Sequence, residues 1–509
     1  MSAAAAAEVE VAAEIEGFTA SRERFGSVLA FLDGAEAAAV CHAELEERLQ
    51  VASRELFCQL FQDHLDMRAQ RETRVAVIDA DGTARSRVET GHTRALSTVF
   101  GKVDVARIAY RAPARPNLHP ADAVLNLPAE RHSHGLRRLA AVEATRGSYD
   151  DAVAGIIQAT GQRLGKRQVE ALAARAAVDI DNFYTARTPA AGAGTDDEVL
   201  VLSCDGKGIV MRADALRPAT AKAAATTTPK LATRLSKGEK RNRKRMAEVG
   251  AVYDATPRAR TATDILPTTD AERRTATTGS RARHKWLTAS VVDDAATVVA
   301  QIFDEAERRD PDHARTWVAL VDGNNHQINR IHAEAAARQA PVRIVIDFVH
   351  VLEYLWKAAW CFHNEGDPDA ETWVRRHAST ILDGGANRVA GTIRRAATRA
   401  SLDRSSRAGV DTCATYLTNK RDHMDYPTAL GQGWPIATGV IEGACRHLVK
   451  DRLDLTGARW GLPGAEAILK LRALHANSDF DAYWHYHLAR ERERVHTSRY
   501  HNNAIPQAA

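Results

Sequence analysis

The feature that most constrains this chain is the run Val199-Leu200-Val201-Leu202-Ser203-Cys204-Asp205-Gly206-Lys207-Gly208-Ile209-Val210. An unbroken series of branched apolar residues marks a strand buried on both faces. Two glycines then mark a turn, and Ile209 and Val210 begin a return strand. Asp205 stands where the apolar run ends, on a rigid element yet within reach of water or a metal ion. The pattern recurs downstream. Trp317-Val318-Ala319-Leu320-Val321 ends on Asp322-Gly323, and Val342-Arg343-Ile344-Val345-Ile346 ends on Asp347. Thr438-Gly439-Val440-Ile441-Glu442-Gly443 then opens a helical pattern with Glu442 near its start. Taken singly, each Asp-Gly step is an ordinary turn signal. Taken jointly, acids at the ends of core strands plus one on a helix converge on a point suited to hard divalent cations. Two such ions can run phosphodiester chemistry.

At 509 residues the chain has room for two to four domains and a sizeable core. A 45% hydrophobic and 26% charged composition is that of a soluble protein. The net charge of +4 is too small to assign a partner, so the distribution of charge matters more. Cys41, Cys58, Cys204, Cys361, Cys413 and Cys445 are scattered, with no CxxC pair. That speaks against a zinc ribbon or a disulfide scaffold and for a reducing, cytoplasmic setting. The Ala-rich, acidic start lacks the basic and apolar parts of a signal peptide. No apolar run reaches the length of a bilayer span, so no membrane partner is expected.

Residues 1–17 read as a loose tail, and residues 18–133 as N-terminal helices followed by a β-ribbon. Helical spacing of Leu45, Leu49, Leu56, Leu60 and Leu65 gives way to a period of two from Arg74 to Arg111. That period suggests two hairpins, one turning at Asp81-Gly82. The ribbon carries Arg85, Arg87, Arg94, Lys102, Arg107 and Arg111, and is either a solvated face or a phosphate-touching one. Residues 134–185 read as helix, short Gly turn, helix, a helix-turn-helix DNA-binding region. Ser148 and Asp151 form a near capping box there. Lys166 and Arg167 open the third helix, where base and phosphate contacts are made. Ordinary three-helix packing has the same signature. Residues 186–195 are a linker of small residues.

A core domain follows from 196 to 351. Its first part holds a basic loop, 213–245, carrying Lys237, Lys240, Arg241, Arg243, Lys244 and Arg245. Such a run is usually solvated and disordered, and it suits a polyanion beside an acidic site. Pro257 to Arg283 reads as a second mobile loop. The element order is three strands, a helix, a strand ending on Asp322, a helix, and a strand ending on Asp347. That is the order of an α/β, RNase H-like mixed sheet, in which the first strand lies beside the fourth. Residues 352–433 read as a helical insertion that Gly433-Trp434-Pro435 ends. Residues 434–509 return to the core and close in a tail. Glu442, Arg446 and Lys450 share a helix face at four-residue spacings, as a surface ladder or as a metal ligand followed by phosphate-binding cations.

Several motifs carry a family resemblance: Cys204-Asp205-Gly206-Lys207-Gly208, Ser236-Lys237-Gly238-Glu239-Lys240-Arg241, Val321-Asp322-Gly323, Ile346-Asp347-Phe348-Val349-His350-Val351 and Thr438-Gly439-Val440-Ile441-Glu442-Gly443-Ala444-Cys445-Arg446. Together they resemble a bacterial insertion-sequence transposase of the ISKra family, distantly Mutator-like. The resemblance implies a DDE transposase that cuts and joins DNA at element ends. It implies Asp205, Asp322 and Glu442 as catalytic, metal-holding acids, with two Mg²⁺ ions or Mn²⁺ in substitution. Asp347 and His350 match an auxiliary pair of the Mutator-like enzymes, and Asp347 is the alternative second ligand. Double-stranded DNA, as terminal inverted repeats and target, is the implied partner, with a homodimer or larger synaptic assembly at the bacterial nucleoid. A nuclease that cuts without joining, and a catalytically inactive DNA-binding regulator, are the rival expectations.

Overall fold

The computed structural model describes residues 16–187, 198–228, 230, 231, 233, 236, 242–455 and 457–507. The expected N-terminal tail and most of the linker fall outside them. The chain divides into two compact units, one of residues 1–185 with 480–509 and one of residues 186–479. Residues 480–509, read from sequence as a tail behind the core, thus group with the N-terminal unit.

The first unit opens with helices Thr19–Asp33, Ala35–Ala39 and His42–Arg71. One antiparallel ladder follows, β1 (Arg87–Ser97) with β2 (Lys102–Arg111). The second expected hairpin is reduced to a single bridge, Ile78 to Ala84, around the Asp81-Gly82 turn. The ribbon's cations divide: Arg87 and Lys102 are exposed, whereas the others meet acidic partners. Arg85 lies buried on Asp79 at 2.8 Å and Arg107 buried on Asp122 at 2.9 Å. Arg94 approaches Asp122 at 3.8 Å, and Arg111 pairs with Glu89. Burial of a cation demands such a partner.

Helices His134–Arg146, Tyr149–Thr160 and Lys166–Ala176 come next. A capping box fixes the start of the second: Asp151 N donates to Ser148 Oγ at 3.1 Å, and Ser148 N donates to the Asp151 carboxylate at 2.9 Å. Val169, Leu172, Ala173 and Ala176 form the buried face of the third. The C-terminal helix Phe480–Val495 closes this unit through ion pairs. Arg137 meets Glu491 at 2.6 Å, and His487 and Arg494 meet Asp179 at 2.7 and 2.6 Å.

The second unit is built on a mixed five-stranded sheet of order β5-β4-β3-β6-β7. Its strands are β3 (Val199–Val210), β4 (Lys244–Ala255), β5 (Ala282–Ser290), β6 (Trp317–Val321) and β7 (Val342–Ile346). Strands β3, β4 and β5 form an antiparallel meander, whereas β6 runs parallel to β3 and β7 parallel to β6. The first strand of this sheet therefore lies beside the fourth. The expected turn at Asp205-Gly206 does not exist. β3 runs straight through both glycines, which pair with Glu248 and Met246 on β4. Neither glycine has a positive φ, and a Cβ at Gly206 or Gly208 would sit 3.0 or 2.9 Å from the side chains of Met246 and Lys244. Their smallness serves close side-chain packing across the ladder, not a reversal.

Helix Ala295–Arg309 buries Val298, Val299, Ile302, Phe303 and Ala306, the apolar stripe of its sequence. Helix Asn325–Arg338 joins β6 to β7. The stretch from Pro257 to Arg283 carries two short helices, Ala262–Ile265 and Asp270–Thr275, and Arg260 N donates to Leu430 O at 2.9 Å. The helical insertion consists of Phe348–Ala359, Pro368–Leu382, Ala386–Arg399, Ala408–Lys420 and Tyr426–Gly431. Its first and fourth helices touch at Gly409, where any Cβ would sit 2.2 Å from Lys357 O. Among the described residues, no helix is long and apolar enough to cross a membrane.

Under the sheet, Asp254 of β4 is fully buried. Arg315 meets it at 2.7 Å, Arg309 at 3.3 Å and His284 at 3.0 Å. Removing the carboxylate leaves the buried Arg315 guanidinium without its counter-charge, while Arg309 keeps Glu305 at 2.8 Å. Asp254→Ala is therefore expected to lower unfolding free energy by about 3–5 kcal/mol, measured by urea denaturation of the full chain.

Candidate active site

Parallel pairing places three aspartates level with one another. Leu202 of β3 pairs with Ala319 of β6, so Asp205 and Asp322 both lie three residues further along. Val321 pairs with Ile346 of β7, so Asp322 and Asp347 both lie one residue further. Asp205, Asp322 and Asp347 thus form a row across β3, β6 and β7, with strands about 4.8 Å apart. The row lies where β6 and β7 end, at the carboxyl edge that open α/β sheets use for ligands.

The three acids differ in what compensates them. Asp347 is fully buried and caps helix Phe348–Ala359. Its Oδ1 accepts from Val349 N at 2.9 Å and Thr438 N at 3.4 Å; its Oδ2 accepts from Thr438 Oγ at 2.5 Å and faces His350 Nδ1 at 3.3 Å. Four partners fill the acceptor sites of a carboxylate. The hydrogen bond to Asp347 raises the His350 pKa above its ordinary value, burial opposing, with Asp347, Asp322 and Glu353 adding to the rise.

Asp205 is half-buried. Its Oδ1 accepts from Gly206 N at 2.6 Å, and its Oδ2 accepts from the Cys445 thiol at 3.3 Å. Burial pushes its pKa up and nearby Asp322 adds to the rise, while the two hydrogen bonds and His350 pull the other way. Glu248 pairs with Gly206 across the ladder and is likewise raised by burial, with Asp205 contributing. Asp322 is half-buried; its Oδ1 accepts from Asn324 N at 2.8 Å and its carbonyl accepts from the Tyr416 hydroxyl at 2.9 Å.

Glu442 is exposed on helix Gly439–Ala444, whose Ile441 and Ala444 are buried. The Cys445 contact ties this helix to β3 beside Asp205. Cys445–Lys450 then winds as a π-helix. Glu442 lies on the α-helical turn, and Arg446 and Lys450 on the π segment that follows it, so the three span a change of helical pitch. Among the described residues, Asp347, His350 and Glu442 form a group whose potential ligand atoms all lie within 4.8 Å of one another. Asp205 and Asp322 are not part of that group.

The cations expected to hold DNA are spread through the chain. Lys166 is exposed and pairs with Asp150 at 2.6 Å, and Arg167 is exposed. Lys237, Lys240 and Arg241 lie outside the described residues. Arg243 and Lys244 are exposed. Arg245 is half-buried and donates to Val291 O at 2.7 Å. Arg446 and Lys450 are exposed, with Arg446 3.8 Å from Asp451. Sequence reasoning did not single out Glu248 or Tyr416, and gave Thr438 and Cys445 no role beyond their motif. An acid set within the otherwise apolar run Met246–Tyr253 was the available signal for Glu248.

No protein-family model and no curated protein matches this chain.

The His350–Asp347 pair gives a pH expectation. A histidine whose folded pKa is raised contributes stability that is fully present below its unfolded pKa, about 6.5, and is lost as pH rises through the folded value. His350 is expected to titrate above about 6.5 by NMR in chelator-treated protein, and Asp347→Asn to bring that titration down. A His350 titration unmoved by Asp347→Asn contradicts the pairing.

Proposed function

We propose that this chain is a DDE-type transposase that cuts DNA strands and joins them through divalent-metal chemistry, on a core of the RNase H-like kind. The carrying observation is the placement of Asp205 on the central strand β3, level with Asp322 on its parallel neighbour and tied through Cys445 to the helix bearing Glu442. The strand order, meander first and parallel strands after, supports the fold reading.

The donor set fits a hard divalent cation such as Mg²⁺, since it offers carboxylate oxygens. Burial and mutual repulsion raise Asp205 and Glu248, the state that a bound cation would relieve. Asp205, Asp322 and Glu442 would hold the metal. Asp347 is the weaker choice for second ligand, because its acceptor sites already meet Val349, Thr438 and His350. Its role is to orient His350 and hold positive charge beside Asp322 and Asp205. Bound divalent ions supply Lewis acidity at the attacking and leaving oxygens of a phosphodiester.

The implied partner is double-stranded DNA: the element's terminal inverted repeats, then target DNA. An assembly of two or more copies at the nucleoid would bring two element ends together. Exposed Lys166, Arg167, Arg243, Lys244, Arg446 and Lys450 are among the described cations open to a phosphate backbone.

The test uses the full chain, Mg²⁺ and a plasmid carrying the coding sequence with its native flanking DNA. Wild-type protein is expected to nick or cut at the flanks and to join supplied 3′-hydroxyl ends. Asp205→Ala is expected to lose cleavage while retaining DNA binding. Cleavage without joining points to a simple nuclease, and wild-type rates in Asp205→Ala would sink the assignment.

A further inference from the structure

Helix Ala408–Lys420 of the insertion reaches back to the turn that follows β6. The Tyr416 hydroxyl donates to Asp322 O at 2.9 Å. Four residues on, on the same helical face, Lys420 Nζ donates to Asn325 Oδ1. Lys420 is buried, and among the described residues no carboxylate lies within ion-pair distance of it. Gly323 adopts φ +93°, and a Cβ there would sit 2.8 Å from the Tyr416 hydroxyl. The turn bearing Asp322 is therefore shaped around this one oxygen. The Tyr416 ring is itself fixed, stacked on Tyr354 with centroids 4.0 Å apart and planes 13° apart. Tyr354 lies one turn beyond His350 on helix Phe348–Ala359. Gly409 lets the two helices approach closely enough for that stack.

We propose that Tyr416 is a positioning residue: from the helical insertion it holds the Asp322 turn in register with Asp205, and so sets how tightly the site holds a divalent cation. This rests on the transposase reading of Asp205, Asp322 and Glu442. The hydroxyl touches the Asp322 backbone and not its carboxylate, so it acts on the placement of the ligand and not on its charge. Without it, the carbonyl must find water, and the glycine turn is free to sample positions in which Asp322 and Asp205 no longer face one cation. Metal affinity then falls, while the chemistry at saturating metal survives.

The test is Tyr416→Phe in the full chain, which keeps the ring stack and removes one oxygen. Two readouts are taken: Mn²⁺ affinity of the DNA-free protein by electron paramagnetic resonance, and the Mg²⁺ concentration for half-maximal cleavage of the native-flank plasmid. Loss of this half-buried hydrogen bond is expected to weaken both by about 3- to 10-fold, with wild-type cleavage restored at high metal. Tyr483→Phe is the control, because it removes a tyrosine–carbonyl bond, buried and to Ala176, in the first unit. It is expected to lower Tm and leave both metal curves unmoved. Wild-type metal curves in Tyr416→Phe, beside a cleaving wild type, overturn the positioning role alone. A loss of cleavage in Tyr416→Phe that high metal does not restore, with Mn²⁺ affinity intact, overturns it as well. A wild type that neither binds Mn²⁺ nor cleaves overturns the transposase reading beneath it.

Discussion

Burial and a neighbouring carboxylate act together on Asp205: burial raises its pKa, and Asp322 on the adjacent strand adds to the rise. Asp205, Asp322 and Asp347 stand in a row on adjacent strands, with Glu248 on β4. Asp347 is compensated within the protein by two backbone N–H groups, the Thr438 hydroxyl and His350. Asp205 has a backbone N–H and a weakly donating thiol, and its raised pKa records the shortfall. The difference sorts the acids: the acceptor sites of Asp347 are met within the protein, and those of Asp205 are met less fully.

The helical insertion belongs to this arrangement and is not a passive interruption. Tyr426 donates to Ile346 O at 3.0 Å, and Tyr416 donates to Asp322 O, so two tyrosines from the insertion grip the ends of β6 and β7. Phe348 N donates to Ile436 O at 2.8 Å, joining the start of the insertion to the chain leaving it. The ends of β6 and β7 are thereby coupled to helix packing dozens of residues away in sequence.

The apolar strands and the acids that end β6 and β7 were legible because burial writes itself as unbroken branched residues, and the following acid marks where burial stops. The capping box at Ser148 was legible because it is local. What escaped is what depends on partners distant in sequence. Gly206 and Gly208 looked like a turn because their cross-strand neighbours on β4 are invisible in one dimension. Arg85, Arg94, Arg107 and Arg111 looked like a basic face because Asp79, Asp122 and Glu89 meet them only in the fold. The π-turn after Ala444 changes the helical pitch within a spacing that reads as regular in sequence. Glu248 and Tyr416 carried no motif; their meaning comes from register and from a helix folding back.

Anomalous scattering from Mn²⁺ soaked into crystals of the full chain addresses the central claim most directly. The account requires manganese between the carboxylates of Asp205 and Asp322, within coordination distance of Glu442 after at most a side-chain rotation. Manganese seated on Asp347 and His350, with Asp205 and Asp322 left without it, would contradict the account.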